Sequence, residues 1–84
     1  MEEKQIGTVT HYFTSIGVGI IQLSDALKVG DTLHFKGHTS DFTQVVDSMQ
    51  VEHASVKEAK AGSAIGIKVK DHVRQHDTVY KVTG

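Results

Sequence analysis

Ala64-Ile65-Gly66-Ile67-Lys68-Val69-Lys70 alternates without a break, with Ile65, Ile67 and Val69 on one side of an extended chain and Ala64, Gly66, Lys68 and Lys70 on the other. Successive side chains of a strand point to opposite faces, so this stretch reads as a strand with one dry face and one wet face. Leu33 and Phe35 repeat the pattern against Thr32, His34 and Lys36. Val45, Val46, Met49 and Val51 shift phase, which predicts a bulge near Asp47 in a long strand.

Outward from these segments, β-branched residues are abundant and eight glycines punctuate the chain, while no stretch holds a 3.6-residue apolar period. Six strands are predicted, over residues 6–13, 16–23, 32–36, 42–53, 64–70 and 78–82. Gly30-Asp31, Gly37 and Ala61-Gly62-Ser63 mark the turns, and the absence of proline leaves every strand able to pair. The one helical candidate, residues 55–61, offers a turn or two at most. The pattern favours an all-β fold, a barrel or a sandwich, in one domain spanning residues 1–84, and the expectation adopted, with the family resemblance described below, is a six-stranded, mainly antiparallel closed β-barrel.

At 84 residues, 38% of them apolar, the chain supports one small core and is neither disordered nor membrane-embedded in composition. Residues 1–5 have neither a basic nor an apolar run, and cysteine is absent, so a soluble, cytoplasmic protein without thiol chemistry is expected. The net charge of −1 lacks the footprint of a dedicated nucleic-acid binder. Charge is nevertheless uneven. Residues 1–56 hold three lysines against seven acids, whereas residues 57–84 hold five lysines and Arg74 against three acids, a local excess of three positive charges.

Three stretches in fixed order carry a family resemblance. Ala26-Leu27-Lys28-Val29-Gly30-Asp31-Thr32-Leu33 resembles the turn into the third strand of the elongation factor Tu second domain. Residues 42–53 followed by Ala61-Gly62-Ser63-Ala64-Ile65-Gly66-Ile67 look like its long fourth strand, Ala-Gly turn and next apolar strand, and Asp77-Thr78-Val79-Tyr80 resembles its closing strand. The resemblance implies a stand-alone translation-factor barrel of the reductase, isomerase and elongation factor type that binds rather than reacts, with tRNA or ribosomal RNA as partner. A protein-interaction module docking on a larger translation factor or enzyme is the alternative. No G-x-x-x-x-G-K-[ST] phosphate loop is present, so neither GTP hydrolysis nor another nucleotide function is expected.

By position, the resemblance carries the RNA- or ligand-binding role to His11, Phe13, Gln50, Glu52 and Lys68. Phe13 offers a ring to stack on a base, Gln50 an amide for a base edge and Lys68 a charge for phosphate; a core role for Phe13 is the competing reading. Lys68, Lys70, His72, Arg74 and Lys81 form a basic strip that attracts anions if they converge. Gly17-Val18-Gly19 lacks the third glycine of a dinucleotide fingerprint. His34 with His38 and His72 with His76 would share a side only on a helix, and neither segment reads as one, so no metal and no cofactor is expected. His38-Thr39-Ser40-Asp41 is explained as a polar turn, and the chain is expected not to be an enzyme.

Overall fold

The computed structural model describes residues 2–38, 41–52 and 54–83. Ten strands follow one another: β1 (Glu2–Phe13), β2 (Val18–Leu23), β3 (Leu27–Lys28), β4 (Thr32–Lys36), β5 (Asp41–Val45), β6 (Met49–Val51), β7 (Ala54–Val56), β8 (Glu58–Ala59), β9 (Ala64–Lys68) and β10 (Thr78–Thr83). Among the described residues there is no helix, and every strand pair is antiparallel.

Eight strands make one sheet in the order β5-β4-β10-β1-β2-β9-β6-β7, and β3 pairs with β8 in a second, small sheet. β1 holds the centre by serving two partners, β10 with its first half and β2 with its second. Register shifts between Gln5 and Gly7 and between Val9 and His11 bend it as it changes partner. Gly7 lies at the crossing, where a Cβ would sit 2.7 Å from the Gln22 carbonyl oxygen and 2.8 Å from Ile21 Cγ2.

The sheet curls around an apolar interior. Ile65, Ile67 and Val69 all point into it, as do Leu33, Phe35, Ile6, Val9, Ile21 and Val79. Phe35 stacks on the half-buried Phe42 with centroids 5.0 Å apart. Two aspartates fasten turns at the edge of this interior in the same way. Asp31 Oδ2 accepts from Lys28 N at 2.9 Å, and Asp77 Oδ2 accepts from Arg74 N at 2.9 Å. Asp77 is buried, and its carboxylate occupies the space that a side chain on Gly37 would fill.

The predicted closed barrel is corrected. The hydrogen-bonded ladder does not return to its start, because β5 and β7 stand at opposite ends of the order. The reason lies at residues 46–48. The chain leaves the ladder there, near the predicted bulge at Asp47, and Val46 turns inward to exchange hydrogen bonds with Gly30 and Asp31. The predicted fourth strand is therefore split into β5, at one edge of the sheet, and β6, next to the strand at the other edge, with its last residue, His53, outside the described residues. The predicted helical turn at 55–61 is corrected as well. Leu27 pairs with Ala59 and Lys28 with Glu58, so strand pairing overrides a weak local helix preference.

Candidate functional site

Two concave surfaces flank β9. On the outer face, cross-strand register sets side chains into rows, since directly opposed residues share a face. Phe13 opposes Val18, which opposes Lys68; His11 opposes Ile20, which opposes Gly66, which opposes Gln50. Phe13, Ile16, Ile20, Gln50 and Glu52 line a shallow groove of about 290 Å³. Phe13 is 49% exposed and Ile16 60% exposed, so the core role open to Phe13 is not the one it takes. A Cβ on Gly66 would meet Ile20 Cδ1 at 3.3 Å, and its absence keeps the groove floor low. His11 stacks on Phe13 with ring centroids 6.4 Å apart.

Glu52 sits at the rim of this groove in the tight connection from β6 to β7, with φ of 51°. That left-handed conformation is costly for a residue with a Cβ and gives the rim a fixed shape.

The second surface is the seam where the sheet fails to close. It is a groove of about 510 Å³ between residues 44–48 and 67–70. The β6–β9 ladder consists of the Gln50–Gly66 pair, so β9 runs past β6 as it enters the groove. Gln44 of β5 reaches across: its Nε2 donates to the Lys68 carbonyl at 2.9 Å, and its Oε1 accepts from Lys70 N at 2.9 Å. Lys68 and Lys70 are exposed along one wall and Asp47 lies on the other.

The structure thus brings His11, Phe13, Gln50, Glu52 and Lys68 to one face and places Lys70 beside Lys68 at the seam. It does not bring Arg74 to either groove: Arg74 lies in the loop before β10, its amide held by Asp77. Lys81 is elsewhere too, on β10, with Nζ 3.9 Å from Asp31 Oδ2 and donating to the Ala26 carbonyl at 3.3 Å. His72 packs edge-on against Tyr12. The basic strip is therefore divided among three places.

A third cluster had no sign in the sequence. His34 Nδ1 lies 2.6 Å from Glu3 Oε2 and His34 Nε2 lies 2.5 Å from Asp41 Oδ1, joining β1, β4 and β5. The hydrogen bond to Asp41, with help from Glu3 and against partial burial, raises the His34 pKa above its ordinary value. The same bond holds the Asp41 carboxyl below its ordinary value. Next to Glu3 on β1, Lys4 hydrogen-bonds Asp25 at 2.5 Å and lowers that carboxyl's pKa, aided by the Ala26 amide. Among the described residues, no group of three or more His, Cys, Asp or Glu is placed to hold a metal ion. Nor is any helix among them long and apolar enough to cross a membrane.

No family model matches the chain. An uncharacterized protease of Methanocaldococcus jannaschii is 39% identical over 77 residues, covering 90% of this chain and 19% of the protease. A collagenase of Porphyromonas gingivalis is 30% identical over 82 residues, covering 95% of this chain and 23% of the collagenase. The chain thus spans about a fifth of the length of the curated relatives it matches. Among solved structures, the C-terminal domain of a putative U32 peptidase from Geobacillus thermoleovorans superposes with a TM-score of 0.89 at 23% identity, covering 95% of this chain and 93% of that one. Its selenomethionine variant gives a TM-score of 0.86 at 23% identity, covering 90% and 96%.

These findings correct the translation-factor reading. The similar proteins are a protease, a collagenase and a peptidase domain, so the resemblance to elongation factor Tu and the RNA-binding function drawn from it, with its tRNA or ribosomal RNA partner, are set aside. The expectation that the chain is not an enzyme is corrected on the same ground, since the relatives it matches are named as a protease and a collagenase. The physical cause of the false resemblance is visible. Gly30 and Gly62 have φ of 100° and 90°, and a Cβ on either would meet nothing. The motifs that seemed distinctive therefore report the positive φ that tight turns need, which unrelated β-proteins share.

Proposed function

We propose that this chain engages polypeptide as part of the work of a peptidase. Its alignment, nearly end to end, with a fifth of a protease and of a collagenase supports the peptidase association. The observation that carries polypeptide engagement is the groove below Phe13 and Ile16. There an exposed aromatic and an exposed aliphatic side chain stand over an apolar floor, with the Gln50 amide and Glu52 carboxylate at the rim. Such a surface takes apolar side chains of an unfolded or extended chain and offers polar groups to its backbone. The absence of cysteine from the sequence supports a reducing, cytoplasmic setting.

Titrating the isotope-labelled chain with peptides from denatured collagen tests this reading. Amide shifts are expected around Phe13, Ile16, Ile20 and Gln50. Full burial of a large apolar side chain is worth about 1.5–3 kcal/mol, and these two are already half covered, so Phe13→Ser with Ile16→Ser should weaken binding about tenfold or more. Unchanged affinity in the double variant would remove the groove from the account.

A further inference from the structure

At the seam between β5 and β9 a side chain, not a neighbouring strand, completes the backbone hydrogen bonding. The β6–β9 ladder is limited to the Gln50–Gly66 pair, and β9 continues beyond it into the groove. There the Lys68 carbonyl and the Lys70 amide are both taken by one side chain, the Gln44 amide, as donor and acceptor. A carbonyl and an amide two residues apart on one side of a strand are what a neighbouring strand ordinarily engages. A primary amide carries the same donor and acceptor groups as a peptide backbone, so Gln44 occupies the place of one residue of a missing strand.

We infer that the seam is a strand-addition site, in which an extended polypeptide segment displaces the Gln44 amide and pairs with the end of β9 and the two residues that follow it, over residues 67–70. The inference rests on the reading that the chain engages polypeptide, and it names a second place and a preferred ligand. Ile67 and Val69 point inward while Lys68 and Lys70 stay outside, about 6.8 Å apart along the strand. A segment added here sets its own alternate side chains beside those two ammonium groups, about 5 Å across the pair. The ligand is thus a stretch of extended chain with carboxylates at alternate positions. Main-chain pairing supplies the affinity and the two lysines supply the selectivity. Asp47 on the opposite wall disfavours a second acidic row and orients the segment.

The test titrates the 84-residue chain with a synthetic peptide of Val and Thr bearing Glu at every second position, beside the same peptide N-methylated at alternate amides. Amide shifts are expected at Val46 and at Lys68, Val69 and Lys70 with the first peptide and not with the second. Removing the internal competitor by Gln44→Ala should tighten binding roughly tenfold, the worth of about one net hydrogen bond. Lys68→Glu with Lys70→Glu changes exposed residues only, so the fold is retained. That variant should lose the acidic peptide by about tenfold or more and prefer a lysine-bearing counterpart. Equal binding of the N-methylated peptide, or affinity indifferent to both variants, would overturn the strand-addition site. Shifts confined to the Phe13–Ile16 groove would overturn it while leaving polypeptide engagement intact; no shift anywhere with either acidic or collagen-derived peptides would remove both.

Discussion

Replacing Gly37 by alanine should destabilise the fold strongly, and the cost should vanish when Asp77 is removed first. An added Cβ would stand 1.9 Å from Asp77 Oδ1 and 2.3 Å from its Cγ, far inside contact distance. The carboxylate has nowhere inexpensive to go. Asp77 is only 5% exposed, and its Oδ2 accepts from the Arg74 amide at 2.9 Å. Rotating it away breaks a hydrogen bond to a charged group, worth about 1.5–3 kcal/mol, so Gly37→Ala should cost about 2–3 kcal/mol. In a domain of this size that lowers Tm by roughly 8–24 °C. Asp77→Ala alone should cost a similar amount by releasing the turn at 74–77, but it also empties the space beside Gly37. Gly37 does not have a positive φ, so in the Asp77→Ala background alanine at 37 meets no backbone penalty. There it should be neutral or stabilise by about 0.4–1 kcal/mol through a less disordered unfolded chain. Urea unfolding of the wild type, both single variants and the double variant completes the cycle. Additivity within about 0.5 kcal/mol would refute the claim that Gly37 exists to house that carboxylate.

The Glu3–His34–Asp41 bridge predicts a pH window. His34 has a raised pKa in the fold, so its contribution is complete below its ordinary value of 6.5 and is lost as pH rises through the folded value; Asp41, lowered from 3.8, contributes above that value and is lost as pH falls through its own folded value. The stability difference between wild type and His34→Gln should therefore be largest between these limits and shrink toward alkaline pH. Denaturation curves showing a constant difference from about pH 5 to about pH 9 would contradict the bridge. Glu52, at φ of 51°, should be improved by glycine, and Glu52→Gly is expected to stabilise the fold by about 1 kcal/mol; a loss in thermal melting would show that the Glu52 side chain holds the turn.

Much of the sheet was legible because its cause is local. The alternation at 64–70 and 32–36 reports burial directly, and Ile65, Ile67, Val69, Leu33 and Phe35 are all inside. The phase change around Val45 and Val46 likewise marked where the long strand breaks. Closure was not legible. It depends on whether residues 44–48 meet 67–70 through backbone or through a side chain, and no pattern within either segment encodes that outcome. The short β3–β8 pair escaped for a similar reason, since Val56-Lys57-Glu58-Ala59 is weakly helical by itself and is extended only because Leu27 and Lys28 pair with its end. Among the site residues, Phe13, Gln50 and Glu52 do line one groove, whereas Glu3 is far in sequence from His34 and Asp41 and meets them only through the order of strands. Family resemblance failed although three stretches kept their order, because two of them turn on Gly30 and Gly62, whose requirement is conformational.

The pairing of Glu2 with Thr83 also sets a timetable for synthesis. The strand at the middle of the sheet is made first and its neighbour last, so β1 leaves the ribosome with half its partners still untranslated. At about 5–20 residues per second it waits roughly 4–15 seconds for β10. During that interval Ile6 and Val9, which end fully enclosed, are open to water and to other nascent chains. A chaperone binding β1 would shield them until β10 arrives, and deleting β10 would leave that exposure permanent.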